Sequence, residues 1–64
     1  MVRSPFLHQT YELYFYDAEG ARRFEALTCL EPQLVATVQR RLAEAGARFV
    51  DVHQFGAKLF TLNT

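Results

Sequence analysis

Apolar and polar positions in this chain alternate with a period of two in three places and with a period near 3.6 in one. In Tyr11-Glu12-Leu13-Tyr14-Phe15-Tyr16, alternation across a strand puts Tyr11, Leu13 and Phe15 on one face and Tyr14 and Tyr16 on the other. Both faces therefore carry large apolar side chains. The pattern predicts a first strand over His8 to Tyr16, a turn at Asp17-Ala18-Glu19-Gly20, and a second strand over Ala21 to Cys29. With a four-residue turn, Leu13 faces Phe24 and Tyr11 faces Ala26. Tyr11, Leu13, Phe15, Phe24 and Ala26 then form one apolar face, and Tyr14 meets Arg23 on the other. This register carries one unfavourable pair, Glu12 opposite Glu25. A slip of one residue sets Leu13 against Glu25, which spoils the apolar face.

Pro32 suits a first helical position and Gly46 a helix end. Between them Leu34, Val35, Val38, Leu42 and Ala45 fall on one side of a helix, with Gln33, Thr37, Arg40, Arg41 and Glu44 on the other. Arg48 to Phe55 alternates again, Val50 and Val52 pointing one way and Phe49, Asp51, His53 and Phe55 the other. Gly56-Ala57 reads as a turn into a fourth strand, Lys58 to Leu62, with Phe60 and Leu62 facing the core. The alternative is one long strand bent by a bulge at Gly56. The expected fold class is α+β: a small antiparallel sheet of three or four strands with one helix on one face, in the order β-β-α-β-β. Residues 1–7, with Pro5, are expected to form a flexible N-terminal arm, and residues 8–64 a single domain.

One helix covers one face of such a sheet. Tyr14, Tyr16, Leu27, Phe49, Phe55 and Leu59 are expected on the other, and monomers rarely leave large aromatic patches in water. Composition sharpens the point. The chain has 64 residues, half of them hydrophobic, and a core of this size supplies roughly 3–5 kcal/mol unless a disulfide, a metal or a partner adds to it. Its single cysteine, Cys29, excludes an internal disulfide. Association is the remaining source of stability.

The formal net charge is zero, with seven basic and seven acidic residues, so the chain lacks the basic field on which polyanion binders depend. Six of the seven cations are Arg, the residue better suited to interfaces because its planar group stacks on rings and forms paired hydrogen bonds. No apolar run is long enough for a signal peptide or a membrane span, and a lone cysteine suits a reducing compartment, so a cytoplasmic location and no membrane partner are expected.

Candidate chemistry is sparse. Cys29 with His8 or His53 has the residue types of a thiol nucleophile and its base, but a cysteine ending a strand reads better as packing. Asp51 and His53 share a strand face, yet the paired spacings of a structural zinc site are missing. No catalytic residue, metal or cofactor is assigned, and no enzymatic activity is expected. Neither the Glu-Pro-Gln-Leu-Val helix start nor the closing Phe-Gly-Ala-Lys-Leu-Phe run names a family.

The expected function is that of a protein–protein interaction module. Such a module is a small adaptor or an inhibitor of a larger protein, a class that includes phage-type inhibitors of host machines, or it binds its own copy as a homodimer. The expected contact residues are Tyr14, Tyr16, Arg23, Phe49 and Phe55 on the open sheet face, because interface cores are enriched in Tyr, Phe and Arg. The alternative is a single-stranded nucleic-acid-binding protein that stacks bases on Tyr14, Tyr16, Phe49 and Phe55 beside Arg22 and Arg23.

Overall fold

In the computed structural model, which describes residues 7–64, four strands form one antiparallel sheet and one helix lies on it. Strand β1 spans His8–Tyr16 and β2 spans Arg22–Leu30. A 3-10 turn at Glu31–Gln33 leads into helix α1, Leu34–Ala45, and β3 (Phe49–Gln54) and β4 (Ala57–Asn63) complete the sheet. The spatial order is β2-β1-β3-β4. Both β2 and β3 run antiparallel to β1, so they are parallel to each other with β1 between them. Joining two parallel strands requires a crossover, and α1 supplies it. The expected arm lies outside the described residues except for Leu7, which is exposed.

The helix stops where the chain takes a left-handed turn at Gly46, φ 66°, a conformation glycine adopts without a Cβ penalty. Pro32 sits in the 3-10 turn rather than at the first α-helical position. The helix buries Leu34, Val38 and Leu42 against the sheet, while Val35, at the margin of that stripe, is 49% exposed. The buried core joins these to Tyr11, Leu13, Phe15, Cys29, Ala47, Val50 and Val52, with Leu27, Ala45, Phe60 and Leu62 packed partly against it.

The β1–β2 register differs from the sequence expectation by one residue. Leu13 stands opposite Glu25, Tyr14 opposite Phe24 and Phe15 opposite Arg23. The cause is the loop, which runs from Asp17 to Ala21 and is one residue longer than a four-residue turn. Asp17 Oδ1 accepts hydrogen bonds from the backbone N–H groups of Glu19 and Ala21, each at 2.9 Å, and Asp17 N–H donates to the Ala21 carbonyl. This side-chain bridge holds the extra residue in the turn.

The shift turns β2 over. Phe24 and Ala26, expected in the core, lie on the outer face, where Phe24 is 56% exposed. Leu27, expected outside, packs with the core, and Arg23 moves to the helix side, its guanidinium carbon 5.6 Å from the centre of the Phe15 ring. The like-charge pair disappears, since Glu12 now meets Ala26. Glu25 on the helix side is tolerated because Arg41 of α1 reaches it, forming an ion pair with Nε 3.3 Å from Oε1.

The β3 strand faces as its alternation predicts, with Val50, Val52 and Gln54 buried. Gln54 is satisfied from β1, its Nε2 donating to Gln9 Oε1 at 3.2 Å. The chain then turns through Phe55 and Gly56, one residue earlier than expected, and β3 and β4 form a hairpin. A bulge does occur, but in β4: the register shifts between Val52, opposite Phe60, and His53, opposite Lys58, which leaves Leu59 without a cross-strand partner.

Candidate functional site

The outer face is built from even-numbered residues of β1 and β2 and odd-numbered residues of β3, a consequence of the two-residue period and the observed registers. Tyr14, on the central strand, is its hub. Its ring lies 5.4 Å from that of Phe24, and His53 meets it edge-on at 4.9 Å. The Arg22 guanidinium carbon sits 5.4 Å from the Tyr14 ring centre. One pair further along, Tyr16 and Phe49 stack at 4.6 Å with their planes only 12° apart. These rings shelter one another, so Tyr14, Tyr16, Phe49 and His53 are half-buried although none of the described residues forms a layer over them.

Polar side chains frame the rings. The Thr10 and Thr28 hydroxyls are 3.0 Å apart at one end. Asp51 accepts a hydrogen bond from the Thr61 hydroxyl and lies 3.4 Å from the Lys58 ammonium. Charges on this face therefore balance: Arg22 and Lys58 are set against Glu12 and Asp51.

Of the five expected contact residues, the sheet brings Tyr14, Tyr16 and Phe49 together. Arg23 is on the opposite face, for the register reason given above, and Arg22 takes the place beside Tyr14. Phe55 is not on the sheet. It occupies the tip of the β3–β4 hairpin, 88% exposed, with φ 54°. A two-residue hairpin loop needs positive φ at both positions, which Asn-Gly supplies readily and Phe-Gly does not. Phe24, expected in the core, belongs to this face, and His53, expected on it, joins the ring cluster without having been assigned as a contact residue. Phe24 was hidden by the register, whereas His53 was already legible from the alternation of β3.

Cys29 is buried on the helix side and His53 lies on the outer face, so the sheet itself separates the thiol from the imidazole. Burial pushes the Cys29 thiol pKa up, which keeps it protonated and less nucleophilic. Among the described residues no three His, Cys, Asp or Glu side chains cluster as a metal site would require. Hollows in the surface are shallow and open. One of about 160 Å³ lies between Phe15, Arg22, Arg23 and Ala47. Another, of about 460 Å³, lies at the end of the sheet by Asp17, Arg48 and Phe49. Asp17, which lines both hollows, is already committed to the turn. No helix among the described residues is long and apolar enough to cross a membrane.

Comparison with known proteins finds no matching family model, no similar curated protein and no similar solved structure. The functional reading therefore rests on the geometry of this face.

Proposed function

We propose that the chain is a non-enzymatic protein-binding module whose contact surface is the outer sheet face centred on Tyr14. It acts as a small adaptor or inhibitor of a larger protein, or on its own copy. The observation that carries this reading is the aromatic patch of Tyr14, Phe24, Tyr16 and Phe49, charge-balanced at its rim and left uncovered by the described residues. Half-buried aromatic rings beside a stacked Arg are the usual composition of an interface centre, and contiguous apolar patches of this kind mark sites of association.

Single-stranded nucleic acid is the competing ligand. It would use the same rings but needs a surplus of cations along them. Here Arg22 is the cation at the ring centre, Arg23 faces away, and Lys58 is drawn to Asp51. That balance favours a protein.

The test is retention of bound material on the immobilised chain at low and high salt, with and without nuclease. Protein binding predicts retention that survives salt and nuclease and falls when Tyr14 or Phe49 is replaced by Ala. Binding that collapses with salt and follows Arg22 would support the nucleic-acid reading.

A further inference from the structure

The two open edges of the sheet differ. Edge strand β4 is interrupted by the bulge at Leu59 and carries Lys58, two features that discourage pairing with another strand. Edge strand β2 is nine residues long, pairs with β1 without a register shift, and contains neither Pro nor Lys. None of the described residues covers its free side.

The backbone polarity of that edge follows from the hairpin. Asp17 N–H donates to the Ala21 carbonyl, while the carbonyl of Tyr16, one position along, turns away from β2 to accept from Arg48 N–H, and inward and outward positions alternate along an antiparallel ladder. Tyr14–Phe24 is therefore a non-hydrogen-bonded pair, and the N–H and C=O groups of Arg22, Phe24 and Ala26 point away from β1 toward the free edge. We propose that this edge pairs antiparallel with β2 of a second copy, about a two-fold axis at Phe24. Arg22 then faces the partner's Ala26, and the outward backbone groups of Arg22, Phe24 and Ala26 are all satisfied.

Charge selects this register. On the helix side, Arg23 falls opposite the partner's Glu25, twice by symmetry, and opposite charges directly across a ladder are favourable. Glu25 has two carboxylate oxygens and can hold both Arg41 of its own chain and the partner's Arg23. On the outer face the two Phe24 rings meet at the axis. Centring the axis on Ala26 instead would set Glu25 against Leu27 and Arg23 against Cys29, with no charge complement. The dimer joins two aromatic faces into one continuous eight-stranded sheet. This consequence deepens the proposed reading of the outer face and rests on it; the edge pairing itself does not.

The experiment is sedimentation equilibrium of the full chain and four variants from low micromolar to millimolar concentration, with far-UV circular dichroism to confirm folding. The wild type is expected to show a monomer–dimer equilibrium. Ala26→Pro removes an outward N–H that β1 does not use and should leave a folded monomer. Arg23→Glu sets Glu against the partner's Glu25 and should raise the dimer dissociation constant at least about tenfold. Arg40→Ala, on the exposed surface of the helix, should leave dimerisation unchanged, and Phe49→Ala reports separately on the outer face. A wild type that stays monomeric throughout, or an Ala26→Pro chain that still dimerises, overturns the inference. Dimerisation abolished by Phe49→Ala but untouched by Arg23→Glu would replace the edge with face-to-face packing, overturning this inference while leaving the binding role of the outer face intact. If Ala26→Pro does not fold, Arg23→Glu alone decides: an unchanged dissociation constant overturns the pairing. Disulfide formation reads the register independently. A Phe24→Cys chain with Cys29→Ala should oxidise to a covalent dimer, because residues facing each other on the axis are within bridging distance. Failure to cross-link under oxidation overturns the register.

Discussion

Arg41 on the helix and Glu25 on the sheet form an ion pair across the open side of the core, and this pairing makes the observed hairpin register tolerable. Without it a carboxylate would stand unmatched on the helix side of β2. Both side chains remain about a third exposed, which limits what the pair contributes. A double-mutant cycle with Glu25→Gln and Arg41→Ala should give a coupling of about 0.3–1 kcal/mol. The coupling should shrink with added salt in urea unfolding.

The helix is held by Leu42 far more than by Val35. Leu42 is 3% exposed and contacts the core, whereas Val35 is 49% exposed. Leu42→Ala should cost about 2–5 kcal/mol, a large share of the stability of a domain this small. Val35→Ala should change it by no more than about 0.5 kcal/mol. Thermal unfolding of the two variants checks the contrast.

Phe55 is expected to be a residue kept at a cost. Its left-handed backbone penalises a bulky side chain by about 1–2 kcal/mol, and its exposed ring recovers little by packing within the chain. Phe55→Asn should therefore raise the unfolding free energy, by about 1 kcal/mol. If the ring serves the partner, the same variant loses affinity while gaining stability. A Phe55→Asn chain less stable than the wild type would contradict the account of the turn.

Cys29 should behave as a core residue. Burial raises its thiol pKa in the folded state, so folding favours the protonated thiol. That contribution is full below the ordinary thiol value, about 8.5, and is lost as pH rises through the higher folded value. Stability should accordingly fall across this alkaline range, and Cys29→Ala should flatten the fall. Alkylation of the native thiol should be much slower than that of the urea-unfolded chain.

The faces of β1 and β3, the helix stripe and the end at Gly46 were legible because each depends on local periodicity or on one residue's backbone freedom. Strand β2 was not. Its apolar residues fall on both parities, Phe24 and Ala26 on one and Leu27 and Cys29 on the other, so alternation alone does not choose a face. The choice is made by the Asp17 side chain, which adds one residue to the turn, and by Arg41, sixteen residues beyond Glu25 in the chain. The same one-residue shift decided the site: it exchanged Arg23 for Arg22 beside Tyr14 and brought Phe24 to the outer face. Phe55 was misplaced because a Phe-Gly turn lacks the Asn or Asp that usually signals this loop.

The most direct test of the central claim is quantitative retention on the immobilised chain from extract of its source cells, after nuclease treatment and in high salt. The comparison sets the wild type beside Tyr14→Ala, Phe49→Ala, Arg22→Ala and the helix-surface control Arg40→Ala. The account predicts a defined larger protein retained by the wild type and by Arg40→Ala. Tyr14→Ala and Phe49→Ala should weaken it at least about 30-fold, as expected for anchors near an interface centre. Retention that needs nucleic acid, disappears in high salt and follows Arg22 while ignoring Phe49 would contradict it.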